Sequence, residues 1–168
     1  PGRCVAPLPC VVIMAANNVT ITGTAADNAN SAGICFTGTA ADGNITATNG
    51  ILTLNGTDSG AAGISSANAV ESLTGNSVVL NSNAPNGRGV LLDNLNIQAT
   101  NGTVTVYGSG NTGVSILSGD TSLSSTGGVT ISGSATSATG IAVEINTGQM
   151  NISGNDATTI TDTLASAA

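Results

Sequence analysis

The chain has no histidine, no lysine and no tryptophan, and its only cations are Arg3 and Arg88. Two guanidinium groups cannot neutralise a run of phosphates, so nucleic acid and anionic membrane are poor candidates as partners. Phe36 and Tyr107 are the only aromatic residues. Charged residues make up 7% of the sequence, against about 25% in an ordinary domain. No apolar run is long enough to span a bilayer. Val11 to Ala16 is also too short for a signal-peptide core, and the charge before it is the single Arg3. The chain therefore reads as a mature product or an excised piece, with any export signal upstream.

Gly, Ala, Ser, Thr and Asn fill the space left by these absences. Such a composition can mean disorder, but disorder goes with weak hydrophobicity and high charge, and here Val, Ile and Leu return at regular places. Val19-Thr20-Ile21 opens a phrase that ends in Gly33-Ile34. It returns as Leu52-Thr53-Leu54 with Gly63-Ile64, Val78-Val79-Leu80 with Gly89-Val90, Val104-Thr105-Val106 with Gly113-Val114, and Val129-Thr130-Ile131 with Gly140-Ile141. The second apolar residue of each phrase (Ile21, Leu54, Leu80, Val106, Ile131) recurs roughly every 25 to 33 residues, the range of a stacked repeat array.

Each repeat carries three short strand signals. In the first, period-two alternation turns Val19 and Ile21 inward and Thr20 outward. The inward stack is then Val19, Ile21, Leu52, Leu54, Val78, Leu80, Val104, Val106, Val129 and Ile131. The second signal pairs Ile34 with Phe36, Val90 with Leu92, Val114 with Ile116 and Ile141 with Val143. The third is weaker: Ile45, Leu95 with Ile97, Leu123, and Met150 with Ile152. Coils close at Asn49-Gly50, Gly75-Asn76, Asn101-Gly102, Gly127-Gly128 and Gly154-Asn155, residues suited to corners with positive φ. β-branched residues and Gly stand where a helical repeat would place Leu, Glu and Lys.

The expected fold is all-β: a right-handed parallel β-helix, or β-solenoid, of about five to six coils of roughly 26 residues, with a β-sandwich as the alternative. Residues 1–17 form an irregular lead-in and incomplete first coil, 18–155 the repeats, and 156–168 a terminal strand or tail. The coil from Ile21 to Leu54 is about seven residues longer than its neighbours, with its excess around Ala25 to Ser31 and Gly38 to Gly43. Insertions of this kind become loops on one face.

The phrases VTITGT, LTLNGTDSGAAGI, VTVYGSGNTGVSI and VTISGSATSATGI resemble the coils of filamentous haemagglutinin-type exoproteins, the large passengers of two-partner secretion. The resemblance covers roughly residues 18–155. It implies a β-helical rod, secreted or held at the bacterial cell surface, acting as an adhesin, a haemolysin or a stalk. The amino-terminal secretion domain of such exoproteins is not seen, which points to an internal segment or a divergent short relative.

Candidate chemistry is sparse. Asp58, Asp93, Asp120 and Glu144 are each alone in their coils, whereas β-helical enzymes acting on polysaccharide need clustered carboxylates. No catalytic residue, cofactor or metal ligand is assigned, and the Gly-Gly-x-Gly-x-Asp calcium repeat is absent. Three cysteines, Cys4, Cys10 and Cys35, suggest one bridge and a remaining thiol. Aligned coils put Cys35 one layer from Cys4, so Cys4–Cys35 is the preferred pair and Cys10 the rival. The N-x-S/T sequons at Asn18, Asn44, Asn55, Asn101 and Asn151 match chance frequency for this composition. Thr20, Thr53, Thr105 and Thr130 form an outward file interrupted by Val79, the kind of ladder that orders water on an ice-binding solenoid; Thr also simply suits exposed strands. The expected role is a structural and adhesive rod without catalytic activity. The alternative is a subunit that stacks end to end into a filament. Its partners would be further coils of the same protein or identical subunits head to tail, and a host-cell or carbohydrate receptor.

Overall fold

A computed structural model describes residues 12–26, 31–37, 43–67, 71–117, 120–146 and 150–163. These residues form thirteen strands and no helix: β1 (Val12–Ala15), β2 (Val19–Ala25), β3 (Ala32–Thr37), β4 (Gly43–Asp58), β5 (Ala62–Ala67), β6 (Glu71–Leu92), β7 (Leu95–Ala99), β8 (Val104–Ile116), β9 (Thr121–Ser125), β10 (Val129–Ala135), β11 (Ile141–Ile145), β12 (Met150–Gly154) and β13 (Thr158–Thr163). All the pairings are parallel. The molecule is a β-solenoid. The long strands β4, β6 and β8 run round corners and contribute to more than one face.

On the first face Val19, Leu52, Val78, Val104, Val129 and Thr158 lie in one register column. The steps between them are 33, 26, 26, 25 and 29 residues, read from those positions. The solenoid has about four turns at roughly 26 residues each, slightly fewer than the five to six expected, and its first step is the longest. Part of that extra length, at 27–30 and 38–42, lies outside the described residues.

The second face stacks β3, β5, the ends of β6 and β8, and β11. The third stacks β1, the starts of β4 and β6, then β7, β9 and β12. Parallel strands placed in register put like side chains over like, so each face contributes apolar columns to one continuous core. Leu52, Leu54, Val78, Leu80, Val104, Val106, Val129 and Ile131 are fully enclosed, Val19 is buried, and Ile21 is half-buried at the first layer. Ile13, Ile45, Leu73, Ile97, Leu123 and Ile152 form the corresponding column on the third face.

Two expectations about the repeat phrase need correction. Ile141 does not stack on Val114. It pairs with Thr112 and is 47% exposed, while Val143 lies over Val114 and Ile145 over Ile116. The residue that takes the place of Gly113 is Ala142. The Gly/Asn corners expected to need positive φ also do not use it. Among the described non-glycine residues only Asn94 is left-handed, at φ 56°, and none of Gly50, Gly75, Gly102, Gly127, Gly128 and Gly154 is. Glycine is required instead by close approach. A Cβ on Gly108 would stand 2.1 Å from the Gly113 carbonyl oxygen, and one on Gly56 would stand 2.1 Å from that of Gly63. At the same rung position in the next turn, Ser82 fits by donating its hydroxyl to the Gly89 carbonyl.

Candidate functional site

No group of three or more His, Cys, Asp or Glu residues positioned to hold a metal is present among the described residues. The acids are dispersed into structural roles. Asp58 is wholly buried at the corner that follows the first face. Its carboxylate accepts hydrogen bonds from the Gly60 amide at 3.0 Å, the Ala61 and Ala62 amides at 3.4 Å each, and the Ser31 hydroxyl at 2.8 Å. Burial alone pushes the Asp58 carboxyl up. The four donors, Gly60 first, outweigh that effect and hold it below its ordinary value of 3.8. Glu144 accepts a bond from the Ser115 hydroxyl at 2.7 Å. The backbone amide of Asp93 donates to the Ser66 hydroxyl, which is itself buried in the core. The Asp120 amide donates to the side-chain oxygen of Asn94.

Cys35, on β3, is disulfide-bonded. The two candidate partners, Cys4 and Cys10, lie outside the described residues.

The outward side of the first face carries three files rather than one. Thr20, Thr53, Val79, Thr105 and Thr130 continue into Thr159. Beside them run Thr22, Asn55, Asn81, Tyr107, Ser132 and Thr161, and then Thr24, Thr57, Asn83, Ser109, Ser134 and Thr163. The sequence signal for the second and third files was present in the T-x-T and T-x-N spacing, but only strand register reveals their alignment. Tyr107, 42% exposed, and Val79 interrupt the middle rungs. The face is therefore not a uniform hydroxyl plane.

A concave feature lies where the third face bends into the next corner. Gln98, Ala99 and Thr100, then Ser124, Ser125 and Thr126, then Ser153, Gly154 and Asn155, line an open groove of about 410 Å³. The three triplets occupy successive rungs of β7, β9 and β12. Their middle residues, Ala99, Ser125 and Gly154, are small and form the floor. Reading along the sequence did not single out this groove, because Q-A-T, S-S-T and S-G-N share no residue pattern beyond small and polar.

Both ends of the solenoid leave inward residues only partly covered, Ile13, Ala15 and Ile21 at the first layer and Val143, Met150 and Ile152 at the last. In the first layer Val19, Ile34 and Phe36 are buried. In the last layer Ile145 is 52% and Ile160 48% exposed. Among the described residues β1, β2 and β3 at one end and β11, β12 and β13 at the other each pair along one edge only. No protein-family model, curated protein or solved structure matches the chain.

Proposed function

We propose that the chain is a structural and adhesive rod segment of a secreted or surface-exposed bacterial exoprotein, has no catalytic role, and is lengthened by further solenoid coils. The observation that carries this reading is the carboxyl-terminal layer. Its strand edges lack the lysines, prolines and bulges with which exposed sheet edges are guarded, and its isoleucines repeat the pattern that every internal turn buries against the next. Apolar surface left open in this way costs roughly 25 cal/mol per Å², so another coil is the covering chemistry that fits without redesign. The resemblance of the repeat phrases to filamentous haemagglutinin-type coils points the same way.

A second reading, identical subunits stacked head to tail, is favoured by the likeness of the first and last rungs. Val19-Thr20-Ile21-Thr22-Gly23-Thr24 and Thr158-Thr159-Ile160-Thr161-Asp162-Thr163 would continue all three outward files across such a junction. A head-to-tail contact needs both layers open and does not close on itself; in the first layer Ile13 and Ile21 are only partly covered while Val19, Ile34 and Phe36 are buried.

Light scattering and negative-stain microscopy of the purified chain test both. The rod reading expects association through the carboxyl-terminal layer, abolished by Ile152→Lys with the β-signal retained in circular dichroism. Filaments that Ile13→Lys also abolishes would favour the second reading. A stable, monodisperse monomer at high concentration would sink both.

A further inference from the structure

The corner groove next to the third face offers hydrogen-bonding groups that the fold itself does not use. Gln98, Ser124, Thr126, Ser153 and Asn155 line it, and none of these side chains has a hydrogen-bond partner among the described residues; Thr100 is already engaged, donating to Gly75 or Asn76. In a folded protein side-chain donors and acceptors usually find partners in the chain or in ordered water. Here five uncommitted, uncharged groups converge on one concavity, repeated at each of three rungs.

We propose that this groove binds a neutral, extended glycan lying parallel to the solenoid axis, with one sugar residue addressed per rung. This rests on the adhesive reading above and gives it a site. Three features of the groove select that ligand. Rungs are spaced at about 4.8 Å, close to the length of a hexose in an extended chain, so successive sugars lie over successive rungs. Apart from Ala99 and Gly154 the lining side chains are hydroxyls and amides, which suits polyols and offers no large apolar side chain to receive the anchors of a peptide. The groove crosses the strands, and only its last rung, β12, has an unpaired edge among the described residues; a peptide adding there by backbone pairing would run along that strand, across the groove rather than in it. Anionic sugars are disfavoured because no lysine exists in the chain and Arg88, the one cation among the described residues, is not in the lining. No aromatic ring is present for stacking, so affinity at a single groove falls in the millimolar range, and a rod would gain strength by presenting many grooves to one polymer.

The test is an amide-resolved NMR titration of the intact chain with linear neutral hexasaccharides (β-1,4-linked glucan, xylan and mannan), a heparin hexasaccharide, and a glycine-serine peptide. At least one neutral sugar should shift amides clustered at 98–100, 124–126 and 153–155, with little dependence on salt. Ser124→Arg, which fills the middle of the groove from an outward position, should weaken binding at least tenfold. Asn96→Arg, outward on the same face but outside the groove, should leave it unchanged. Absence of shifts at tens of millimolar sugar, shifts produced only by heparin or by the peptide, or equal weakening by both variants would overturn the proposal. Adhesion of chain-coated beads to cells, measured in parallel, separates the outcomes. Adhesion that persists without neutral-sugar binding removes the groove and leaves the rod reading standing.

Discussion

Thr121 and Asp58 are the two polar residues whose burial has opposite consequences. Thr121 is almost fully enclosed, and its hydroxyl has no hydrogen-bond partner among the described residues. Met150 is its register partner in the next turn, and Leu95 holds the equivalent place in the turn before. A hydroxyl buried between apolar neighbours loses its water bonds without replacement. Thr121→Val, which keeps the shape, is therefore expected to stabilise the protein by about 1 kcal/mol, read as a higher urea midpoint with an unchanged slope. A lower midpoint would mean the hydroxyl is satisfied. Asp58, by contrast, is satisfied by four donors. Its carboxyl titrates below 3.8 in the folded state, so its stabilising contribution is present above the unfolded value and is lost as pH falls through the folded one. Asp58→Asn should cost about 1.5–3 kcal/mol near neutral pH and flatten the fall of stability below about pH 4. Parallel acid-unfolding curves for variant and parent would contradict that assignment.

At the scale of a strand and its corner, close backbone approach decides which residues are tolerated. Gly23, Gly56, Gly108 and Gly133 share a rung position with Ser82. Gly108→Ala places a methyl group against the Gly113 carbonyl at a distance no real Cβ adopts, and both atoms belong to backbone. The expected cost is about 2–3 kcal/mol, measured by thermal or urea unfolding. A loss under half that would show that the corner gives way easily. The second-face strands show the same control by spacing. β11 meets β8 with Ala142, not a glycine, at the close approach, and Ile141 is carried out to the surface.

At the scale of the whole molecule, stability is a sum over stacked turns, so equal substitutions cost less at an open end than in the middle. Leu80→Ala removes a fully enclosed side chain and should cost about 3 kcal/mol. Ile160→Ala, in the half-open last layer, should cost under about 1 kcal/mol. Equal losses would refute the layer-by-layer account. The cystine is a long-range staple on this array. Cys35→Ser should lower stability by about 3 kcal/mol through loss of the cross-link in the unfolded chain. Non-reducing peptide mapping of the parent should join the Cys35 peptide to that of Cys4 or of Cys10. A parent map with Cys35 unpaired would contradict the assignment.

By itself the sequence determined the all-β class, the repeat near 26 residues and the inward columns from Val19 to Ile131. Each of these follows from local alternation and from a phrase returned at a fixed interval, properties that survive without knowing what touches what. Tertiary structure alone decided the rest. Register between turns assembled three outward files from residues such as Thr22, Asn55 and Tyr107 that look unrelated along the chain. Cross-turn packing moved Ile141 out of the column its phrase suggested, and it gave the corner glycines a steric purpose instead of a left-handed one. Folding also turned Asp58, solitary in sequence, into the anchor of a corner. It brought Gln98, Ser124 and Ser153 into one groove, because parallel stacking makes neighbours of residues 26 and 29 positions apart.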